Sequence, residues 1–165
     1  MIELATADDV PEVVRITNAA YDRGEAGIWM PGWARTDSEW TGREVAAGEV
    51  FVAREQGRIV GSIRVVRLRD HTAEFGLLAV DPEYGGRGLG RALIDFAERL
   101  YDVDWMELEL LVPKAPNANK QRLHDWYSRL GYREWRRRDF AVAYPEPGEL
   151  LAGPADLVGY RKSLR

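Results

Sequence analysis

The sequence predicts a mixed α/β domain: a mostly antiparallel sheet, one parallel βαβ pair, and helices on both faces. Three observations carry this expectation. Short β-rich runs alternate with segments of helical periodicity along the whole chain. A glycine-rich turn separates one such run, Thr72–Val80, from an amphipathic helix at Leu89–Leu100. A further β-rich run, Trp105–Val112, follows that helix, and a strand–helix–strand crossover makes its two strands parallel.

In chain order, Ile2–Ala5 reads as a first strand. Thr6 or Asp8 is placed to cap a helix in which Val10, Val13, Val14 and Thr17 recur at helical spacing, as far as about Tyr21. Residues 22–33 are irregular, with Gly24, Gly27, Pro31 and Gly32. Asp37 or Ser38 starts a second helix that runs to about Ala47, with Gly48 as its stop. Glu49–Arg54 and Arg58–Arg67 form a hairpin across Glu55-Gln56-Gly57, and Arg69–His71 is a second turn. Leu89, Ala92, Leu93, Phe96, Ala97 and Leu100 share one helical face. After the loop 113–119, a helix over Gln121–Leu130 carries Leu123, Trp126, Tyr127 and Leu130 on one stripe and stops at Gly131. Tyr132–Tyr144 is expected as a strand, Pro145–Pro154 as a loop, and Leu157–Lys162 as the last strand. Residues 1–165 show no linker, repeat or low-complexity segment, so one domain is expected.

Composition narrows the function classes. The net charge of −4 and pI of about 5.3 lack the basic footprint of a nucleic-acid binder. With no cysteine there is no disulfide, thiolate metal site or cysteine nucleophile. The two histidines, His71 and His124, are too few and too separated for a zinc site, so no metal is expected. No apolar run approaches the roughly 20 residues of a membrane span. The N-terminus shows no signal-peptide pattern, so a cytoplasmic protein without a membrane partner is expected.

The turn Tyr84–Arg91, YGGRGLGR, is the most informative segment. Gly85, Gly86, Gly88 and Gly90 allow positive φ and close approach of a ligand to the backbone. The N–H groups at the start of the following helix, with the helix dipole, favour an anion there. A plain strand-to-helix turn is the simpler alternative. A Walker loop requires Lys-Ser/Thr after its last glycine, and Arg91-Ala92 stand there. A dinucleotide fingerprint requires a further glycine where Arg91 or Leu93 stands.

The whole segment Leu78–Leu93, LAVDPEYGGRGLGRAL, resembles the acetyl-CoA-binding motif of the GNAT superfamily of N-acetyltransferases. Val80, Pro82, Gly88 and Gly90 match, while Gly85 stands where the family usually carries Gln or Arg. Trp126–Tyr132, WYSRLGY, is similar to the family's second cofactor helix, with Tyr127, Gly131 and Tyr132 in the matching places. Gly159–Leu164 resembles its last strand, and the order of elements fits over nearly the whole chain.

The resemblance implies acetyl-CoA as co-substrate and direct attack of an amine on its thioester. It implies that the two parallel strands splay, that Leu78, Ala79 and Val80 pair with the pantetheine, and that Gly85, Gly86, Arg87, Gly88, Leu89, Gly90 and Arg91 surround the pyrophosphate, with solvated surface as the alternative for Arg87 and Arg91. Tyr127 is the implied general acid, and a core tyrosine is the alternative. Glu74 is the implied base, and a solvated strand carboxylate is equally compatible. If the strand alternates without interruption, Phe75, Leu77 and Ala79 share one face and Glu74, Gly76 and Leu78 the other. Asn119 is the candidate pantetheine contact, or else a helix cap. His124 reads as an exposed helix residue. Tyr21, Glu25, Trp29, Met30 and Trp33 are candidates for an aromatic, partly acidic cup for a cationic amine, on a small molecule or a peptide; packing over the sheet is the equally compatible alternative. An acyl-CoA sensor without turnover and a nucleotide-binding protein are the competing classes, and a homodimer is compatible with the exposed tryptophans.

Overall fold

The computed structural model describes residues 1–165. Seven strands form one sheet: β1 (Ile2–Leu4), β2 (Val50–Glu55), β3 (Arg58–Arg69), β4 (Thr72–Val80), β5 (Trp105–Pro113), β6 (Arg133–Asp139) and β7 (Ala155–Ser163). Their order across the sheet is β1-β2-β3-β4-β5-β7-β6. Every neighbouring pair is antiparallel except β4–β5, whose crossover is the helix α3 (Leu89–Leu100). This is the mixed sheet that the order of elements predicts.

Helices cover both faces. α1 (Val10–Gly24) and α2 (Ser38–Ala46) bury Val13, Ile16 and Val45 against Val50, Val52, Ile59 and Ala79. On the other face, α3 and α4 (Ala118–Arg129) bury Leu93, Ile94, Ala97 and Tyr127 against Phe75, Met106, Leu108, Val158 and Tyr160. Each fully buried aliphatic side chain contributes about 1.5–3 kcal/mol relative to exposure. No helix is long and apolar enough to cross a membrane.

Local chemistry sets the element ends. Thr6 and Asp9 form a capping box around a short 3-10 turn, Ala7–Asp9, and α1 begins only after it. The Asp9 carboxylate also takes two hydrogen bonds from Arg54 of β2, at 2.8 and 2.9 Å. α1 then continues to Gly24, beyond the expected Tyr21. Asp37 caps α2 by accepting from the Trp40 amide at 2.8 Å. The expected strand 132–144 ends at Asp139. That side chain accepts from the Val142 amide at 3.1 Å, capping α5 (Phe140–Ala143), and α6 (Pro145–Gly148) follows.

Two irregularities in the centre of the sheet shape the site. β4 and β5 pair only over Thr72–Glu74 with Trp105–Glu107. Beyond Glu74 the strands part: Leu108–Pro113 pairs with β7 alone, and the β4 edge over Phe75–Val80 has no β5 partner. The second irregularity is a bulge. The β3–β4 register shifts between Ser62↔Ala79 and Arg64↔Gly76, and Leu77 takes φ +48°. One extra residue reverses the alternation. Phe75 packs on the α3/α4 face but Ala79 on the α1/α2 face, so they do not share a face. Leu78 and Val80 instead join the Phe75 side.

Candidate active site

The glycine turn begins at Asp81, which is buried. Its carboxylate accepts from the Glu83 amide at 3.0 Å and from Arg15 of α1 at 2.7 Å. The Arg15 hydrogen bond holds its pKa below the usual aspartate range; burial opposes this, and the Glu83 amide adds to it. After a 3-10 turn, Pro82–Tyr84, the four glycines serve different ends. Gly86 and Gly88 have φ +75° and +76°, where a side chain is strained, and Gly88 is the N-cap of α3. Gly90 is helical, but a Cβ there would lie 3.3 Å from the Trp126 ring, so it permits the close approach of α3 and α4. Gly85 has φ −62° and open space around its Cβ position, with Pro82 O 3.6 Å away as the nearest atom, so nothing local requires glycine.

None of the amide N–H groups from Gly85 to Arg91 donates a hydrogen bond within the chain. The turn is therefore a row of free donors on the positive end of α3. Arg87 lies over the Tyr84 ring and 3.6 Å from Glu55, and Arg91 pairs with Asp95 at 2.8 Å. Both arginines are exposed. Beside them, a cleft of about 400 Å³ is lined by Glu55, Gln56, Arg58, Glu83, Tyr84 and Arg87.

Tyr127 is 6% exposed, with ring centroids 6.2 Å from Phe75, 6.1 Å from Tyr132 and 6.3 Å from Tyr160. It is thus a core residue, yet its hydroxyl has no hydrogen-bond partner in the chain. Burial, with the Tyr21 and Tyr160 phenols, raises its pKa, so it stays a neutral proton donor. Glu74 is the last β4 residue paired with β5. Its neighbours Ala73 and Phe75 point to the α3/α4 core, so Glu74 points to the α1/α2 face. Its carboxylate is half-buried and makes no ion pair or hydrogen bond. Burial raises its pKa, Glu109 and Glu107 raise it further, and Arg64 and Arg136 act against them. The two candidate catalytic groups thus lie on opposite faces of the sheet, near where β4 and β5 part.

Other expected site residues are engaged elsewhere. Asn119 donates to Gly24 O at 2.6 Å and accepts from Arg122 at 2.9 Å. The cap of α4 is Asn117, which accepts from the Lys120 amide at 3.0 Å. Glu25 is not an open acidic group: it is buried, paired with Lys120 at 2.6 Å, and accepts from Trp29 Nε1 at 3.1 Å. Trp29 and Trp33 stack at 4.1 Å. Arg35, which sequence reasoning passed over, lies over the Tyr21 ring at 5.2 Å and makes no ion pair. His124 is half-buried rather than exposed, with Nδ1 2.8 Å from the Tyr160 hydroxyl. His71 is an exposed turn residue at φ +59°.

The model of the acetyltransferase (GNAT) domain matches residues 46–134, more than half of the chain. The chain belongs to the GNAT acetyltransferase family. The match runs from the end of α2 into β6, so it takes in the glycine turn, Glu74 and Tyr127. This GNAT protein is an acyltransferase by family. Its fold is similar to that of smu.2055 from Streptococcus mutans, with TM-score 0.74 and 20% identity over 100% of this chain and 99% of the other. It is also similar to a ribosomal-protein-alanine N-acetyltransferase from Brucella melitensis (TM-score 0.65, 24% identity, 99% of each chain). A third likeness is to yncA from Salmonella typhimurium, whose structure contains acetyl-CoA (TM-score 0.66, 23% identity, 100% of this chain and 94% of the other). At these identities the likenesses speak to the fold. No curated protein matches the sequence.

Proposed function

We propose that this GNAT protein transfers the acetyl group of acetyl-CoA to an amine of a small molecule, peptide or protein, and that residues 1–165 act as one catalytic domain. The observation that carries the reading is the parted β4–β5 edge, with free amide donors beyond one end and Tyr127 and Glu74 on opposite faces.

The residues present fit acetyl-CoA. The amides of Gly85–Arg91 suit a pyrophosphate, because they are unpaired and Gly86 and Gly88 leave open space. The unpaired β4 edge over Leu78, Ala79 and Val80 suits the amides of a pantetheine arm. Arg87 and Arg91 stand within the same turn for phosphate contacts. The bound donor supplies a thioester carbonyl that the amine lone pair attacks, with the carbon–sulfur bond breaking to leave a thiolate. Glu74 takes the proton lost by the amine. The Ala79 or Val80 N–H donates to the carbonyl oxygen as it gains charge. Tyr127 gives its proton to the departing sulfur. Trp29 and Trp33 contribute to the acceptor wall; Glu25, paired with Lys120, does not offer it a free charge.

The test is thiol release from acetyl-CoA with a panel of L-glutamate, L-methionine, spermidine and a short peptide with a free N-terminus. Amine-dependent release supports transfer. Thermal stabilisation by acetyl-CoA without release on any amine supports the sensor reading. Stabilisation by ATP or NAD but not acetyl-CoA contradicts both.

A further inference from the structure

Glu25 and Lys120 are 95 residues apart in sequence and meet at 2.6 Å with side chains only 5% and 4% exposed. Such a pair is a poor device for stability alone, since apolar side chains of similar volume serve as well or better. An ion pair adds a fixed geometry, and this one sits where three segments meet. Glu25 follows α1 and opens the loop to α2. Lys120 lies in the first turn of α4, seven residues before Tyr127 and so on the same helical face. Trp29 Nε1 occupies the second Glu25 oxygen. Trp29 in turn stacks on Trp33, meets Phe140 edge-on at 5.7 Å, and bridges to Leu151. Two backbone bonds flank that bridge: Met30 N to Leu150 O at 2.7 Å and Ala152 N to Ile28 O at 2.9 Å. The Asn119–Gly24 hydrogen bond is a second tie between α4 and α1.

We propose that the Glu25–Lys120 pair is a positioning latch. It fixes the Trp29–Trp33 wall to α4, so that the acceptor wall and the Tyr127 hydroxyl hold one separation, and it selects among amines by the space it leaves. The proposal rests on the transferase reading above. Neither residue touches the reacting atoms; both act through Trp29 and through α4.

The test compares the protein with K120M and with E25Q/K120M. K120M leaves a buried carboxylate without its cation and loses folding stability. The double variant removes both charges at nearly constant volume, keeps an acceptor for Trp29, and remains folded. In it, hydrogen–deuterium exchange over 25–33 and 148–152 accelerates by about tenfold. KM for the most rapidly acetylated panel amine rises about tenfold, while KM for acetyl-CoA stays within about twofold. Unchanged exchange in the folded double variant overturns the latch whether or not any amine is turned over. Faster exchange with an unchanged amine KM overturns its role in acceptor selection. Failure of the unaltered protein to acetylate any panel amine counts against the transferase reading, and exchange still decides the latch.

Discussion

Phe75 and Ala79 stand four residues apart on β4, yet they pack into opposite hydrophobic layers. In an uninterrupted strand they share a face. Leu77, at φ +48°, is the inserted residue that separates them. The bulge lies in the stretch where β4 leaves β5, so the strand turns its side chains over beside the opening. Glu74 lies before the bulge and faces α1 and α2, while Tyr127 reaches the opposite face from α4.

Glu74→Gln tests the base. The carboxyl pKa lies above the usual glutamate range, chiefly through burial. In the unaltered enzyme, kcat/KM therefore rises with pH through that raised value, and Glu74→Gln loses this limb and about 10²-fold in rate. The linkage sign is specific. A raised carboxyl pKa means that the folded state binds the proton more tightly, so stability falls as pH rises from the unfolded pKa through the folded one. Glu74→Gln thus melts higher than the parent above that window and equally below it. A lower melting temperature at neutral pH counts against this electrostatic account.

Tyr127→Phe tests the acid. The hydroxyl has no partner in the chain, so its removal changes stability by no more than about 0.5 kcal/mol. The turnover number falls about 10²-fold and KM for acetyl-CoA changes little. Unchanged turnover leaves Tyr127 a packing residue only.

Gly85 and Gly88 are predicted to respond in opposite directions. Gly85 has an ordinary φ and room for a side chain, so Gly85→Arg folds and tightens coenzyme A binding roughly twofold to fivefold. Gly88→Ala forces a side chain onto φ +76° and costs about 1–2 kcal/mol, with weaker binding. Calorimetric titration with coenzyme A separates the two, and equal responses contradict this division of roles.

Asp81→Asn reports on the tie between α1 and the turn. The aspartate pKa is depressed, first by Arg15, so the stabilisation is present above the unfolded pKa and disappears as pH falls through the folded one. The variant is less stable by about 1–2 kcal/mol at pH 7. The difference closes at pH values below the depressed aspartate range. Paired melts at pH 7 and in strong acid measure it; a constant difference contradicts the linkage.

These residues also mark what was legible in the sequence. Gly86 and Gly88 were legible because left-handed backbone favours glycine, and the α3 face was legible because Leu93 and Ala97 recur at helical spacing. The Leu77 bulge was not, because leucine carries no local preference for positive φ and the shift exists only against β3. The end of β6 was missed because the Asp139 cap competes with a run that reads as a continuing strand. Glu25 read as an open acid because its partner, Lys120, is brought to it only where the end of α1 meets the first turn of α4.

The most direct test of the central claim is the initial rate of thiol release from acetyl-CoA, with and without each panel amine. The account predicts release that rises with the concentration of at least one amine and falls about 10²-fold in Tyr127→Phe. Acetyl-CoA that binds but gives no amine-dependent release with any panel member contradicts it.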